Sequence, residues 1–379
     1  MDKKELTRQI IEEAHRLGFS LAGVTTSDPP DHLEFFQNWL SSGYQASMDW
    51  MASERSQSRR ADPLKILSEC LSIISLGIPY ADPGLVSGLG GIAAYALNQD
   101  YHDVLPEKLE SLVVFIEEKV GHPIPNRWYT DTGPILEREM GMRAGLGWIG
   151  KNTTLINREL GSFFFLAEIL VGIKLEPNQE TSAQLCGSCT RCLEACPTGS
   201  LTAPYTLDAG RCISYLTIEH REEIPEDLRP LMGEWVFGCD ICQAVCPWNQ
   251  SVEESPEIIV EFQPRRELAE LDYMAELNLN QEAFSTRFKG SPVKRTKRLG
   301  YFRNLAVALG NKRDRDVVMA LAAALQDKEA LVRSHAAWAL GKIGGENALK
   351  ILSEAGLELE EDLLVMKEIQ RARNKINGI

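Results

Sequence analysis

The chain has 379 residues, 44% of them hydrophobic and 25% charged, with a formal net charge of −14. That composition is an ordinary soluble protein's, and the length leaves room for two or three domains around a substantial core. No apolar run reaches the length of a membrane span, and the acidic total argues at first against a nucleic-acid partner.

The N-terminal segment carries Asp2, Glu5, Glu12 and Glu13, so it reads as neither a signal nor a transit peptide. A cytoplasmic protein is therefore expected. Leu6, Ile10, Ala14 and Leu17 recur at helical spacing and predict an amphipathic helix of the fold. Up to about residue 178 helical and strand-like segments alternate. Leu71–Ile78, Gly91–Ala96 and Phe163–Leu170 read as strands, and Glu107–Val120 and Ile135–Ala144 as helices. Glycine-rich turns are expected at Gly84–Gly91 and Gly141–Gly150, and Pro177-Asn178-Gln179 breaks the pattern. An α/β or α+β domain of residues 1–178 follows.

Residues 179–255 hold eight of the nine cysteines. Cys186, Cys189, Cys192 and Cys196-Pro197 make a C-x2-C-x2-C-x3-C-P run, the spacing that wraps thiolates around [4Fe–4S] clusters in two-cluster ferredoxins. In that pattern the cysteine before proline reaches across to the other cluster. Cys186, Cys189 and Cys192 are then completed by Cys246, which precedes Pro247. Cys196 crosses to Cys239 and Cys242, and Cys212 supplies the remaining thiolate. Both clusters close at four ligands. A zinc site usually has two C-x2-C pairs and often histidine, which this run does not match; disulfides need an oxidising compartment. Cys70, in the apolar stretch Ile66–Ile78, reads as a buried structural thiol.

Beyond residue 255 the pattern is almost wholly helical, and it repeats. Asn304-Leu305-Ala306-Val307-Ala308-Leu309-Gly310-Asn311 aligns with His335-Ala336-Ala337-Trp338-Ala339-Leu340-Gly341-Lys342 at an offset of 31. Asp316–Leu325 supplies a second helix and Asp327-Lys328-Glu329 a turn. This is the form of HEAT-type helical hairpins, whose surfaces normally bind a macromolecule. From Thr286 to Arg313 there are nine Lys or Arg residues and no Asp or Glu. The stripe includes Lys289, Lys294, Arg295, Lys297 and Arg298. It reads either as a solvated face or as a phosphate-binding surface.

Two further motifs are Trp128-Tyr129-Thr130-Asp131-Thr132-Gly133-Pro134 and Gly145-Leu146-Gly147-Trp148-Ile149-Gly150-Lys151-Asn152. Together with the cysteine run and the HEAT-like tail, they resemble epoxyqueuosine reductases across essentially the full chain. The resemblance implies a nitroreductase-like α+β cobalamin-binding domain (1–178), a ferredoxin-like domain with two [4Fe–4S] clusters (179–255) and a helical tRNA-binding region with HEAT-like repeats (256–379). It implies reduction of epoxyqueuosine at the tRNA wobble position, the last step of queuosine biosynthesis. An external electron donor such as flavodoxin or ferredoxin, and a monomer, are implied as well. The epoxide oxygen leaves as water and a cyclopentene remains, which consumes two electrons and two protons.

Asp131 matches the family's proton donor, since an alkoxide is a poor leaving group without an acid. Burial against the corrin is expected to raise its pKa; a turn or helix-capping aspartate is the plainer reading. Arg55, Tyr95, Lys151, Asn152, Ser214 and Asp240 match cobalamin contacts, although Tyr95 also reads as core and Asp240 as a loop cap. His220 and Arg221 lie on a charged stretch where RNA contact is expected. The cobalamin motif D-x-H-x-x-G is missing: Asp100-Tyr101-His102-Asp103-Val104-Leu105 comes nearest but ends in leucine, and reads as chance. Two other classes remain open. A small-molecule corrinoid reductive dehalogenase predicts a twin-arginine signal and no basic stripe. A two-cluster electron carrier leaves the first 178 residues without a purpose.

Overall fold

The computed structural model describes residues 2–83, 86, 90–178, 184–252, 255–355 and 360–378. Its strands in chain order are β1 (Leu21–Thr26), β2 (Ser72–Pro79), β3 (Gly90–Ile92), β4 (Asn126–Tyr129), β5 (Trp148–Ile149), β6 (Leu155–Ile156), β7 (Phe164–Val171), β8 (Leu201–Ala203), β9 (Thr206–Leu207) and β10 (Glu234–Phe237). The chain divides into two compact units. One comprises Met1–Gly88, Asn98–Gly210 and Asp240–Gln263; the other Leu89–Leu97, Arg211–Cys239 and Pro264–Ile379. Segments of the two units alternate along the chain. Packing gathers segments that are distant along the chain, and the cysteine region is divided as a result.

The first unit is built on an antiparallel sheet of order β1-β2-β7-β4. All eight residues of β2 are buried, as expected of a strand covered on both faces and rich in Ile and Leu. Helices Lys3–Arg16 and Tyr101–Val120 pack on each other and on β1 and β7 respectively, and helix Glu137–Arg143 packs on β1, β2 and β7. Ile73, Leu170, Ile135, Met140 and Cys70 form one buried cluster there, so Cys70 is the core thiol expected. The short helix comes so close to β1 that a Cβ on Gly23 would lie 2.1 Å from the Ala144 carbonyl oxygen.

Most local expectations hold, with shifted ends. Helix Tyr101–Val120 begins six residues before the expected start, because Asp100 Oδ1 caps it by accepting from the His102 amide. The helix expected from Ile135 runs only over Glu137–Arg143. Gly91–Ala96 is corrected more substantially: only Gly90–Ile92 is strand, and Ala94–Ala96 is a 3-10 turn. Gly90 and Gly91 have φ of +134° and +92°, and alanine adds no strand preference. Of the expected Gly84–Gly91 turn, residues 84, 85 and 87–89 lie outside the described residues, as does Gln179 of the Pro177 break.

In the second unit β3 pairs in parallel with β10. Helix Lys297–Lys312 packs on Ala330–Ile343, which packs in turn on Leu363–Asn377. The 31-residue repeat has a steric cause. A Cβ on Gly310 would lie 2.7 Å from the Trp338 ring, and one on Gly341 2.6 Å from the Ala372 Cβ. Each glycine lies where one long helix crosses the next. The expected helix Asp316–Leu325 is a 3-10 turn, Arg315–Val317, followed by Val318–Ala324.

Candidate active site and thiol cluster

Asp131 follows β4 in a tight turn and has φ +58°, a left-handed conformation that aspartate tolerates better than most residues. The turn is anchored on one side by Thr130 Oγ1, which donates to the Leu166 carbonyl at 2.9 Å. On the other side the Asp131 amide donates to Glu137 Oε1 at 2.6 Å. Leu136, not Asp131, occupies the N-cap of the following helix, so Asp131 does not act as the helix cap. Its side chain is 67% exposed, where burial was expected.

Three neighbours organise that carboxylate. The Tyr101 hydroxyl donates to Asp131 Oδ2 at 2.7 Å. His102 Nε2 stands 3.8 Å from the same oxygen, beyond hydrogen-bond distance. His102 Nδ1 lies 2.8 Å from Asp100 Oδ1, a contact that holds the ring with Nε2 toward Asp131. The Asp100 carboxyl is half-buried, which raises its pKa, but its bonds from the His102 ring and amide win and lower it. Tyr101 is set by stacking on Phe165, with ring centroids 4.3 Å apart. With Oδ2 taken by Tyr101, Oδ1 is the other oxygen of the carboxylate.

Helix Glu54–Ala61 borders this turn: Arg60 Nη2 donates to the Gly133 carbonyl at 3.5 Å. Arg55 lies on the same helix with its side chain exposed.

Cys186, Cys189, Cys192 and Cys246 line one cavity of about 280 Å³, far larger than the ~30 Å³ occupied by a water molecule. Burial raises the Cys246 thiol pKa, and proximity to Cys186 and Cys189 raises it further. Cys192 is raised by burial and then by Cys246 and Cys186. The four cysteines thus share one cavity, which Cys246 joins from across the intervening chain. Trp148 and Trp248 meet edge to face at 5.0 Å beside them, giving the cavity an apolar wall with Ile156. Lys151 Nζ donates to the Gly187 and Cys189 carbonyls at 2.7 and 2.9 Å. Asn152, 3% exposed, donates to the Cys242 carbonyl at 3.4 Å and accepts from Thr154. Both residues therefore hold the cysteine loops.

Cys196 and Cys242 belong to this unit; Cys212 and Cys239 belong to the other. The nine cysteines form no disulfide. Asp240 is 2% exposed, and its carbonyl accepts from Gln243 and Ala244 at the start of the Ile241–Ala244 turn of helix. Its side chain makes no cap bond.

In the second unit, Tyr95 is half-buried, 6.0 Å from the Phe237 ring. Ser214 lies in helix Ile213–Ile218, where its carbonyl accepts from Thr217 Oγ1. The basic stripe divides by geometry. Arg303 is fully buried and donates to the Leu216, His220 and Glu222 carbonyls. Arg298 is 13% exposed, paired with Asp327 at 2.5 Å and stacked 4.0 Å over Phe302. Arg295 pairs with Glu219, and its carbonyl accepts from Arg221 at 3.0 Å. His220 Nε2 is 2.9 Å from the Glu223 carbonyl, and burial lowers its pKa. Lys289, Lys294 and Lys297 are exposed.

Tyr101, His102, Asp100 and Glu137 were not expected as partners of Asp131. A faint signal exists for three of them, since Asp100-Tyr101-His102 stands out in the sequence, but only as a failed cobalamin motif. Glu168, a lone acid within the apolar run Phe163–Leu170, is another.

Three family models match the chain: "4Fe-4S double cluster binding domain" over residues 185–249, "Epoxyqueuosine reductase QueG" over 60–132 and "HEAT repeats" over 303–369. The epoxyqueuosine reductase of Pseudomonas aeruginosa is 40% identical, covering 90% of this chain and 96% of its own. That of Escherichia coli K12 is 38% identical, with 90% of each chain covered. Among solved structures, an epoxyqueuosine reductase with a "tRNA-TYR epoxyqueuosine-modified tRNA stem loop" superposes with a TM-score of 0.89 at 32% identity, covering 98% of this chain and 99% of that one. The Bacillus subtilis enzyme, in a structure whose catalytic loop is swung out of the active site, gives 0.88 at 31% identity with the same coverage. No described helix is long and apolar enough to cross a membrane. This chain belongs to the epoxyqueuosine reductase family of oxidoreductases.

Proposed function

We propose that this protein reduces epoxyqueuosine to queuosine at the wobble position of tRNA, with Asp131 as the proton donor. The observation that carries this reading is the Asp131 turn: an exposed carboxylate whose Oδ2 is held by Tyr101 and faced by His102. That leaves Oδ1 to protonate an oxygen leaving carbon. An acid so placed typically contributes about 10²–10⁴-fold.

The cofactors are cobalamin and two [4Fe–4S] clusters. For the first cluster, the convergence of Cys186, Cys189, Cys192 and Cys246 on one cavity supports the fit; thiolate is the ligand that iron–sulfur clusters take. Cys196, Cys212, Cys239 and Cys242 are the ligands for the second, on their spacing. The fit to cobalamin is supported by the exposed Arg55, on the helix that borders the Asp131 turn; a guanidinium there suits a propionamide or phosphate oxygen. Tyr95, Ser214 and Asp240 remain candidate contacts. Lys151 and Asn152 would act through the cysteine loops they hold. When bound and reduced, cobalamin supplies the low-valent cobalt that opens the epoxide; the residues of this chain orient the carboxylic acid and deliver protons. Electrons come from an external donor such as flavodoxin or ferredoxin. The enzyme is read as a cytoplasmic monomer.

For tRNA, Lys289, Lys294 and Lys297 are the proposed phosphate contacts, with His220, Arg221, Arg295 and Arg298 shaping the surface that presents them. Base extrusion toward the acid would expose the epoxide.

The test is an anaerobic single-turnover assay on a stem-loop carrying epoxyqueuosine. Asp131→Asn should bind the RNA normally yet convert it about 100-fold more slowly or worse. Wild-type rates in that variant would reject the assignment. Metal analysis of the isolated protein should return roughly eight irons and about one cobalt per chain, as the two clusters and one corrinoid require.

A further inference from the structure

Behind the Asp131 turn the core holds a polar cluster that neither packing nor hydrogen bonding accounts for. Glu168 lies in the middle of β7, 0% exposed, and neither of its carboxylate oxygens has a partner among the described residues. In register it faces Ser75 on β2 and Tyr129 on β4. Ser75 is also 0% exposed, and its hydroxyl is likewise unpartnered. Glu137, in the first turn of its helix and half-buried, accepts from the Asp131 amide through Oε1 at 2.6 Å.

An isolated ionised carboxylate in such a site costs many kcal/mol, so the group holds its proton instead. Two acids close together go further, because they do not readily ionise at once. Burial pushes the Glu137 carboxyl up to about 8, and the Asp131 charge adds to that; its own amide bond, Arg138 and Arg60 oppose the shift. Glu168 is raised well above the usual carboxylate range by burial and then by the Glu137 charge. At neutral pH the pair keeps protons that ordinary glutamates would have lost.

On the reading of Asp131 as proton donor, we propose that the half-buried Glu137 and the buried Glu168 form a proton store that recharges Asp131 within each turnover. Converting epoxide to alkene and water consumes two electrons and two protons, and one carboxyl carries one proton at a time. Asp131 gives its proton to the oxygen as the first carbon–oxygen bond breaks, and is left as carboxylate. Glu137 returns a proton to it through a bridging water, leaving one negative charge on the pair. Asp131 then gives this second proton to the oxygen as the second carbon–oxygen bond breaks and water departs. Solvent reprotonates the pair. The two electrons come from the external reductant, which is oxidised.

Groups facing Glu137 are Asp131 from the turn, Arg60 from helix Glu54–Ala61, Arg138 from its own helix and Glu168 from β7. Tyr101 and His102 face Asp131 from helix Tyr101–Val120. Glu137 and Glu168 act through Asp131 and are positioning residues, distinct from the acid itself.

Glu137→Gln is the informative variant, because its amide oxygen can still accept the Asp131 N–H while the side chain no longer stores a proton. Two readouts apply. In the isolated protein, infrared spectra across a pH titration should show a carboxylic-acid band lost with a midpoint near pH 8; the band should be missing from Glu137→Gln. In the single-turnover assay, Glu137→Gln should slow conversion about tenfold or more, with RNA affinity unchanged. The wild-type rate should fall above about pH 8 and that limb should vanish in the variant. If Glu137→Gln keeps the wild-type rate and pH profile while Asp131→Asn is inactive, the store is rejected and the donor assignment stands. If Asp131→Asn is fully active, the donor assignment itself fails. Glu168→Gln guards against misfolding of the first variant: it leaves the turn intact, and because Glu168 is still neutral when Glu137 titrates, the Glu137 band should keep its midpoint while the higher-pH band of Glu168 is lost. In Glu137→Gln the Glu168 band should in turn move to lower pH, and an unchanged Glu168 midpoint there would show that the two acids are not coupled and would overturn the proposal.

Discussion

The Tyr101 hydroxyl donates to Oδ2 of Asp131 at 2.7 Å, joining the first residue of a 20-residue helix to a turn 30 positions later. It orients an otherwise exposed carboxylate. Tyr101→Phe keeps the ring that stacks on Phe165 and removes the hydroxyl that makes this bond. Conversion should slow about 3–10-fold, the effect of a net hydrogen bond worth ~1 kcal/mol. Thermal stability should not change. Single-turnover kinetics beside a melting curve checks both.

Lys151 ties two carbonyls of the first cysteine loop, Gly187 and Cys189, through one ammonium group. Lys151→Met keeps the aliphatic stem and removes those bonds. The loop should hold its cluster less tightly, so iron loss to a chelator should be about 10-fold faster or more, within the range for groups that support metal ligands. Time-resolved absorbance of the anaerobic protein measures it.

Exposed Lys289, Lys294 and Lys297 should act as counter-charges to RNA, whereas Arg298, paired with Asp327, should act on the fold. Replacing the three lysines by alanine should flatten the salt dependence of stem-loop binding by about 0.7–0.9 for each phosphate no longer neutralised, with little change in melting. Arg298→Ala should lower the melting temperature first. Binding titrations at several salt concentrations separate the two outcomes.

Arg229 is 0% exposed, pairs with Glu223 and, at 3.2 Å, with Glu368, and lies 5.7 Å from the Trp338 ring. Arg229→Ala leaves Glu368 buried with only the more distant Arg371, at 3.9 Å, as counter-charge. That should cost about 3–5 kcal/mol, read by denaturant unfolding. Arg229→Ala combined with Glu368→Ala should recover part of the loss.

Glu137 and Glu168 also predict a pH slope in stability. Their folded pKa values are raised, so between the ordinary carboxylate range near 4.5 and about 8 the folded chain binds more protons than the unfolded one. Stability therefore falls as pH rises through that window. Glu168→Gln removes one of the two groups and should make the protein more stable than wild type near pH 8, with a shallower slope. Equal slopes in the two proteins would contradict this.

Local pattern was readable from residues alone. Cysteine spacing grouped Cys246 with Cys186, Cys189 and Cys192, and these four do line one cavity. The helix of Leu6, Ile10 and Ala14, and the strands β2 and β7, follow from periodicity. The Gly91–Ala96 segment misled because the same apolar run holds both the short strand Gly90–Ile92 and the 3-10 turn Ala94–Ala96, which hydrophobicity does not tell apart.

Contacts across the chain were decided by the tertiary structure. Nothing in its neighbours marks Arg303 as buried and Lys297 as exposed; the stripe reads as one charge run until the helix packs one side of it away. His102 reads as chance until Asp100 turns its ring toward Asp131. Glu168 looks like one acid among many until β7 places it in the core opposite Ser75. Thiolate chemistry depends on ligand identity and short spacing, which sequence carries directly. Proton affinity depends on burial and on charges brought close from elsewhere, and those exist only once the chain has folded.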